Sequence, residues 1–454
     1  MEVIPNVLVT GLILLVIALA VFEAAAFWAL LSGAFELRRN LRAASHDLSS
    51  LLLKSPIVPG VSVVFAAPDA SPESRSVVRR LLDLHFGRHE LVLVLDGPPD
   101  AELELWIEEF HLFRQERTVP QDLPAGAVQG YYLSRDPVRL LVVVKRGGGA
   151  ADAMNAGVNA AQYPVIGLVD READFIPELL LRLIRPMLAD SGRVVAVCGV
   201  VPPPPAPGLA GRIGAIEASR VWLARCAAFS RWNRLLPVPG SCLLVKRDAI
   251  CSVKGFRAGL VELMVDLHTA SRAKALGSRV AFLAAPVSFR PAAGTWGDLR
   301  RQVRLDQGQL AAALGRSGAG GGSLFLGLFC LRALRPLVET AAYFLAGAGW
   351  LAGLVSPALA ALVLVIGSGG GMIHSMAAVV VRELAAPGGL SPGGSSPALL
   401  AAIFFSAILE NLGYRQIRNV RMIAGFFGAA GPKKQNRGHA VQDCAPAMET
   451  PKNF

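Results

Sequence analysis

Apolar residues follow two distinct patterns along this chain. A long apolar run occupies 7–31, and long apolar runs return after residue 334. Between them, short apolar segments alternate with stretches in which apolar residues recur at helical spacing. The first pattern is typical of membrane-spanning helices, and the second of strands and amphipathic helices in an α/β domain. The pattern therefore predicts a soluble domain between membrane segments.

The short apolar segments predict a parallel sheet. Its strands are expected at 61–67, 90–96, 140–144 and 165–169. Helical patterns separate several of these strands, and this βαβα alternation favours parallel pairing with helices on both faces. Ligands bind such sheets at the carboxyl ends of the strands. Asp96 and Asp170 both lie at such ends.

The long apolar runs predict membrane segments at both ends of the chain. The first, assigned to 1–36, is interpreted as a retained anchor rather than a signal peptide, because no basic residues precede it and no small-x-small cleavage site follows. The C-terminal membrane region is placed at 323–425. We expect it to contain spans at 335–355 and 357–381 and an interfacial helix at 397–412, whose apolar run is too short to cross comfortably.

Charge and cysteine content narrow the class of protein. The net charge is +11, and much of it flanks the apolar runs, as at Arg38, Arg39 and Arg335. By the positive-inside rule the flanks are cytoplasmic, which predicts a multi-pass inner-membrane protein with a cytoplasmic soluble domain and no nucleic-acid partner. The six cysteines show no CxxC pairing and are expected to be reduced. The predicted spans are too few for a transporter. The tail at 430–454 is expected to be disordered.

A glycine-rich turn followed by a helix carries the first candidate chemistry. Gly148 and Gly149 let backbone N–H groups approach a phosphate closely, and the following helix carries Asp152 and Asn155.

A cluster of acidic residues follows the next strand. Asp170 and Glu172 come directly after VIGLV and would suit a divalent cation, whereas Asp174 is interpreted as a helix-start residue. Together with the glycine turn, the acidic cluster predicts a site for a metal-chelated nucleotide diphosphate.

Further motifs follow in a fixed order. The first strand leads into Ala66-Ala67-Pro68-Asp69-Ala70-Ser71, and the second ends at Asp96-Gly97. Downstream come Lys254-Gly255-Phe256, then Val265-Asp266, then Arg301-Gln302-Val303-Arg304-Leu305. In order and spacing these motifs resemble those of membrane-bound family 2 inverting glycosyltransferases, which include polysaccharide synthases and ceramide glucosyltransferase-like enzymes. The resemblance covers residues 5–425.

The resemblance implies a fold and a set of partners. The fold would be an α/β GT-A domain, a Rossmann-like nucleotide-diphospho-sugar transferase domain, over 37–316, cytosolic and flanked by transmembrane helices. The donor would be a nucleotide-diphospho-sugar, most simply a UDP-sugar, and the acceptor a lipid or a glycan at the membrane.

The resemblance also implies roles for individual residues. Asp266 would be the catalytic base, and Asp170 and Glu172 would hold Mg²⁺ or Mn²⁺. The residues expected at the donor or acceptor are Asp69, Asp96, Gly148, Gly149, Asp152, Asn155, Arg301 and Arg304.

Several motif positions depart from the family pattern. Ala150 stands for a lysine, Val265 for a glutamate, and Leu305 for a tryptophan that stacks on the acceptor sugar in the processive enzymes. Leucine offers no aromatic face. Three readings stay open: single sugar transfer, polymer synthesis, and a divergent non-catalytic partner subunit of a polysaccharide synthase.

Overall fold

The computed structural model describes most of the chain between the third residue and the C-terminal tail. The described residues are 3–44, 58–67, 69–135, 139–171, 173–233, 235, 238, 240–257, 259–273, 278–283, 288–289, 293–305, 334–385 and 396–429. The expected glycine-rich break at 318–322 and the tail at 430–454 lie outside them.

The described strands form a mixed nine-stranded sheet. They are β1 Val61–Ala67, β2 His89–Asp96, β3 Phe113–Gln115, β4 Val128–Leu133, β5 Arg139–Lys145, β6 Val165–Val169, β8 Val194–Gly199, β9 Cys242–Lys246 and β10 Arg279–Leu283. A separate antiparallel pair joins β7 Asp174–Phe175 to β11 Ser288–Phe289. The strand order in the large sheet is β10-β8-β9-β6-β1-β2-β5-β4-β3.

The four strands that the sequence predicted make the centre of this sheet. β6, β1, β2 and β5 are neighbours and all three pairings are parallel, as predicted. The sheet is mixed because β9 lies antiparallel between β6 and β8, and β4 lies antiparallel on β5. The central strands are almost wholly apolar because helices cover both of their faces.

Strand order reverses beside β1. The chain runs from β1 to β2 and β5 on one side, then returns to β6 on the other side of β1. Such a reversal opens a crevice at the carboxyl ends of the strands, where ligands of α/β proteins bind. The segments that follow β1, β2 and β6 therefore surround the candidate site.

The helices divide between the soluble domain and the chain ends. In the soluble domain they are α2 Pro72–Leu82, α3 Asp100–Glu109, α4 Ala150–Ala160, α5 Leu179–Ala189, α6 Gly208–Val221, α7 Ala228–Arg231, α8 Arg247–Ser252, α9 Leu260–Ala273 and α10 at 296–305. At the ends they are α1 Val3–Ala44, α11 Arg335–Leu351, α12 Pro357–Leu364, α13 Gly370–Ala385, α14 Pro397–Leu409 and α15 Arg415–Ala429.

Three apolar helical segments are long enough to cross a membrane, within the described residues. They are 6–40, 357–384 and 397–424. The last is longer than the helix expected at 397–412, because α14 continues through a π-helical Glu410–Tyr414 into α15. The run of apolar residues ends at Glu410, but the helix continues past it. Glu410 is fully buried there because it accepts hydrogen bonds from Arg220 and Ser375.

The glycine-rich run in the preceding segment does not break the helix. Val365–Gly369 is π-helical and joins α12 to α13 without interruption. A Cβ on Gly367 would collide with the Tyr343 ring and hydroxyl, and one on Gly371 with Arg415 and Asn411. The glycines are therefore sites of close helix packing.

The first helix contacts the soluble domain near its C-terminal end. Gly33 packs directly against the backbone of Leu223, in the π-helical segment Trp222–Ala227 that links α6 to α7. Glu36 is 1% exposed and accepts hydrogen bonds from Asn40 at 3.2 Å and from Arg279 of β10 at 3.4 Å. The first helix is therefore packed directly against the domain.

A Gly33→Ala substitution tests this docking. The new methyl group would meet the Leu223 carbonyl, so we expect a loss of about 1–3 kcal/mol of stability from overpacking. Gly11→Ala is the matched control in the same helix, since nothing lies within 4 Å of its Cβ position. Thermal unfolding in detergent should show a lower midpoint for the first variant only. Equal midpoints would contradict the close approach.

Candidate functional site

The centre of the site is a buried lysine held between two carboxylates. Asp96 and Lys145 end the neighbouring strands β2 and β5 and are register partners. The Lys145 side chain is fully buried, and its Nζ donates to Asp96 Oδ1 at 2.7 Å and forms an ion pair with Asp152. Burial opposes the charged ammonium, but the hydrogen bonds and charges of Asp152 and Asp96 outweigh burial, so the pKa of Lys145 is raised.

The glycine turn folds over the second oxygen of Asp96. The N–H groups of Gly148 and Gly149 donate to Asp96 Oδ2 at 3.3 and 2.7 Å. Gly149 has a φ of +86°, which favours glycine, and a Cβ on Gly148 would collide with Asp152 and Lys145. The two amides predicted to approach a phosphate therefore do converge on an anion, which in this structure is the protein's own carboxylate.

Asp152 and Asn155 on α4 hold neighbouring loops. Asp152 Oδ1 accepts from the Gly126 N–H at 2.7 Å. The Asn155 amide is 3% exposed, donates to the carbonyls of Pro124 and Phe256 at 2.9 Å, and accepts from the Phe256 N–H at 2.8 Å. Its Nδ2 hydrogens both have partners. The structure gives Asn155 a structural contact to the Lys254-Gly255-Phe256 turn instead of an open position for a ligand.

Asp69 lies just beyond β1 at the start of α2. Its Oδ1 accepts from the Ser71 N–H at 3.2 Å and the Ser74 hydroxyl at 2.8 Å. Its Oδ2 lies 3.8 Å from the Arg171 guanidinium, which follows β6. Burial raises the pKa of Asp69, but the Ser71 and Ser74 hydrogen bonds and the Arg171 charge outweigh it, so the pKa is lowered. The Asp69–Arg171 pair therefore crosses the strand-order reversal.

Asp170 follows β6 and faces the loop before β9. Its Oδ2 accepts from the Gly240 N–H at 2.8 Å, and its backbone carbonyl accepts from Ala173 at 2.9 Å. Glu172 lies outside the described residues. The expectation for Asp174 is wrong: it begins β7, pairs with β11 and forms an ion pair with Arg80 at 2.9 Å, because a short antiparallel strand pairing replaces the helix start.

A divalent cation at this edge would need oxygen atoms from a bound substrate in addition to those of the protein. Within the described part of the chain, no group of three or more His, Cys, Asp or Glu side chains is placed to hold a metal. The donor set available is the oxygen of Asp170, the type that Mg²⁺ and Mn²⁺ prefer. Mg²⁺ is commonly held by one or two carboxylates together with substrate phosphates. The residues present are therefore compatible with a metal that arrives with a diphosphate.

The predicted base and arginines lie on two helices further along the chain. Asp266 is half-buried on α9, between the buried Val265 and Leu267. Arg301 is half-buried and Arg304 exposed on α10. Leu299 of α10 packs against α6 and against Tyr414 of the π-helical segment before α15, so the two arginines lie where the α/β domain meets the C-terminal helices.

Three residues of the site were not predicted from the sequence. Lys145 directly follows the strand predicted at 140–144, and a lysine buried there needs a charged or polar partner. Arg171 was only the middle residue of the acidic motif, and Gly240 was only a turn before β9. The register that brings each of them to a carboxylate is not visible in sequence.

Comparison with known proteins gives a likeness in structure alone. No protein-family model and no curated protein matches the sequence. The structure is similar to a mannosyltransferase from Pyrobaculum calidifontis in complex with GDP-Man and Mn²⁺, at 17% identity and a TM-score of 0.49, covering 88% of this chain and 99% of that one.

A second similar structure is glucosyl-3-phosphoglycerate synthase from Mycobacterium tuberculosis in complex with Mn²⁺, UDP-glucose and phosphoglyceric acid. Identity is 16% and the TM-score 0.36, covering 60% of this chain and 85% of that one. Likeness of this degree leaves the function to be argued from the residues of the site.

A Lys145→Met substitution tests the buried ion cluster. It leaves Asp96 and Asp152 without their cation, so we expect a loss of about 3 kcal/mol, near the lower end for breaking a buried pair because both carboxylates retain some exposure. Lys246→Met, at the end of β9, removes an exposed lysine and should change stability by less than about 0.5 kcal/mol.

The raised pKa of Lys145 determines how the stability difference between wild type and Lys145→Met depends on pH. The contribution of Lys145 is complete below the ordinary lysine value of 10.5 and is lost as pH rises through the folded-state pKa. Denaturant unfolding at pH 7 and pH 9 should therefore give the same difference between wild type and Lys145→Met. A difference that disappears by pH 9 would contradict the charged assignment.

Proposed function

We propose that this chain is a membrane glycosyltransferase that moves a sugar from a nucleotide diphosphate donor to a lipid or polysaccharide acceptor. One observation carries the proposal. Asp69, Asp96 and Asp170 follow the carboxyl ends of three parallel strands that lie side by side, at the reversal of strand order. That crevice is where α/β folds bind nucleotides. The motif order along the sequence supports the same assignment.

In the donor half of the proposed site, residues at the ends of different strands have different roles. Asp69 and Asp96 would contact the nucleoside, and Asp170 with Glu172 would hold Mg²⁺ or Mn²⁺. The bound cation supplies neutralisation of the diphosphate charge as the nucleotide leaves. Arg171, paired with Asp69 across the reversal, adds a second positive charge near that leaving group.

Donor binding requires the glycine turn to change partners. The Gly148 and Gly149 amides are taken by Asp96, which Lys145 also holds. Both a carboxylate and a phosphate present paired anionic oxygens, so the same amides suit either one. In the proposed mechanism the nucleoside draws the Asp96 carboxylate away from the turn, and a diphosphate oxygen takes its place while Lys145 remains paired with Asp152.

The acceptor half uses the two later helices. Asp266 accepts the proton of the acceptor hydroxyl as its oxygen attacks the anomeric carbon. The new glycosidic bond forms on the face opposite the breaking bond to the diphosphate oxygen, so the configuration at that carbon inverts. Arg301 and Arg304 contact the diphosphate or the acceptor. Their position where the soluble domain meets the C-terminal helices favours an acceptor that reaches the site from the membrane.

The proposed location is the inner membrane with the soluble domain in the cytoplasm. The apolar segments at 6–40, 357–384 and 397–424 supply the membrane contact. Basic residues beside them, such as Arg38 and Arg39, support a cytoplasmic domain by the positive-inside rule.

A second candidate function is a non-catalytic partner subunit of a polysaccharide synthase. The observation that favours it is that Asp96 occupies the Gly148 and Gly149 amides and that the Asn155 amide binds two backbone carbonyls. The losses at Ala150, Val265 and Leu305 point the same way. Nucleotide binding separates the two candidates.

Calorimetric titration of UDP into detergent-purified protein with Mn²⁺ is the test of the donor site. We expect saturable, Mn²⁺-dependent binding that Asp170→Ala weakens at least about tenfold, since one charge-assisted contact is worth about that much. Asp174→Ala is the control, because the Asp174 carboxylate on β7 pairs with Arg80 on α2. A GDP titration identifies another base preference. Failure of both nucleotides to bind at millimolar concentration would leave the non-catalytic candidate.

An Asp266→Asn variant tests the assignment of the base. UDP release from UDP-sugars, with water as the acceptor, should fall about 10²- to 10⁴-fold, the usual contribution of a general base. Mn²⁺-dependent UDP binding should stay within twofold of wild type. Glu262→Gln, one turn earlier on α9, should leave the rate unchanged. Equal loss in both variants would show that the helix matters only for folding.

A further inference from the structure

A cavity lined by arginines lies apart from the sheet edge, where the soluble domain meets the terminal helices. Its volume is about 190 Å³, and its walls come from α1, α6 with the following π-helical segment, α7, α11, α13 and α15. The charged or titratable side chains on its wall are Arg220, Arg225, Arg335, Arg415, Arg418 and His374. No acidic residue lines it, within the described residues. A single water needs about 10–15 Å³, so the space is large enough for a polyatomic group.

Carboxylates behind the wall hold these arginines in place. The ion pairs are Arg220–Glu410, Arg335–Glu23, Arg415–Glu23, Arg415–Glu339 and Arg418–Glu217. These carboxylates lie outside the cavity, so the guanidinium groups themselves form the surface that faces the space. Such burial is costly unless the charges are compensated.

Two buried polar atoms of the wall, Arg418 Nε and His374 Nδ1, have no hydrogen-bond partner among the described residues. The His374 side chain is 7% exposed. Buried polar atoms are rarely left unsatisfied, so the group points to a ligand atom that completes it. Gly371, one turn earlier on α13, lacks a Cβ where Arg415 and Asn411 pass, and so lets the Arg415 guanidinium enter the wall.

We propose that this cavity binds a phosphoryl group, as a phosphate monoester or diphosphate. A planar guanidinium presents paired N–H donors that match phosphate oxygens, and several of them around one space give recognition of that group rather than of a simple halide. The His374 Nδ1–H donates to a further oxygen. The walls include segments long enough to cross a membrane, so the phosphoryl group is carried either on a lipid head or by a free phosphate. The site is independent of the proposed sugar transfer.

The test measures binding to the full chain in a neutral detergent. The probes are dodecyl phosphate, inorganic phosphate and, as the uncharged control, dodecanol, each titrated by calorimetry. Arg418→Gln combined with Glu217→Gln removes one cation from the wall without leaving its carboxylate unpaired. The matched control is Arg382→Gln with Glu383→Gln, a buried pair on α13 that does not line the cavity.

Each outcome decides the proposal. We expect saturable binding of dodecyl phosphate that the cavity pair weakens at least about tenfold and the control pair by less than twofold. Binding of dodecyl phosphate alone assigns a lipid head, and equal binding of inorganic phosphate assigns a free anion. The proposal is overturned if neither phosphate probe binds saturably, if dodecanol binds as tightly as dodecyl phosphate, or if the control variant weakens binding as much as the cavity variant. The arginines would then form a purely structural network.

A second variant protects the test against misfolding. His374→Leu removes the unpartnered nitrogen without changing any ion pair. It should elute as wild type in size exclusion and bind dodecyl phosphate at least about threefold more weakly, the loss of one neutral hydrogen bond. Unchanged affinity in this folded variant would contradict a ligand contact at Nδ1.

Discussion

Glu23 imposes the constraint on which the packing of the terminal helices depends. It is the single carboxylate of an otherwise apolar run, and a charge there is too costly to leave unpaired. It pairs with Arg335 and Arg415, which lie more than three hundred residues later in the sequence. The C-terminal helices must therefore pack around the first helix. Glu36, further along α1, pairs with Arg279 and fixes the same helix to the sheet.

The two carboxylates of α1 link the C-terminal helices to the α/β domain. The Gly33 contact with Leu223 and the Arg231 guanidinium 4.5 Å from the Phe35 ring extend this junction. The helix α10, with Arg301 and Arg304, packs on α6 through Leu299. In the proposed function, these contacts hold a sheet edge that would bind a nucleotide at a fixed relation to helices that would meet an acceptor in the membrane.

The sheet edge and the arginine-lined cavity use opposite electrostatic arrangements. At the sheet edge one buried lysine is shared by two carboxylates, and the glycine amides add further donors to Asp96. Around the cavity the carboxylates lie behind the arginines, so that guanidinium groups face the space. In the two proposals, the first arrangement exchanges one anion for another, and the second accepts one.

The sequence predicted the parallel centre of the sheet because each strand is a short apolar run ending in a polar residue. It also placed Asp96 and Asp170 at the carboxyl ends of strands in the same sheet, where the structure has them. It did not predict that Asp96 binds the turn, because strand register decides that contact and leaves no local pattern. It misjudged the helix after Pro397 for a related reason. Hydropathy counts Glu410 and Arg415 as ends of a membrane segment, whereas their partners lie on distant helices.

The central claim is that the carboxyl ends of β1, β2 and β6 bind a metal-chelated nucleotide. The most direct measurement is an electron cryomicroscopy structure of the full chain with UDP and Mn²⁺. The account predicts nucleotide density in the crevice between Asp69 and Asp170, an Asp170 oxygen bound to the metal, and the Gly148–Gly149 amides released from Asp96. Density for the nucleotide elsewhere, or a crevice unchanged at saturating UDP, would contradict it.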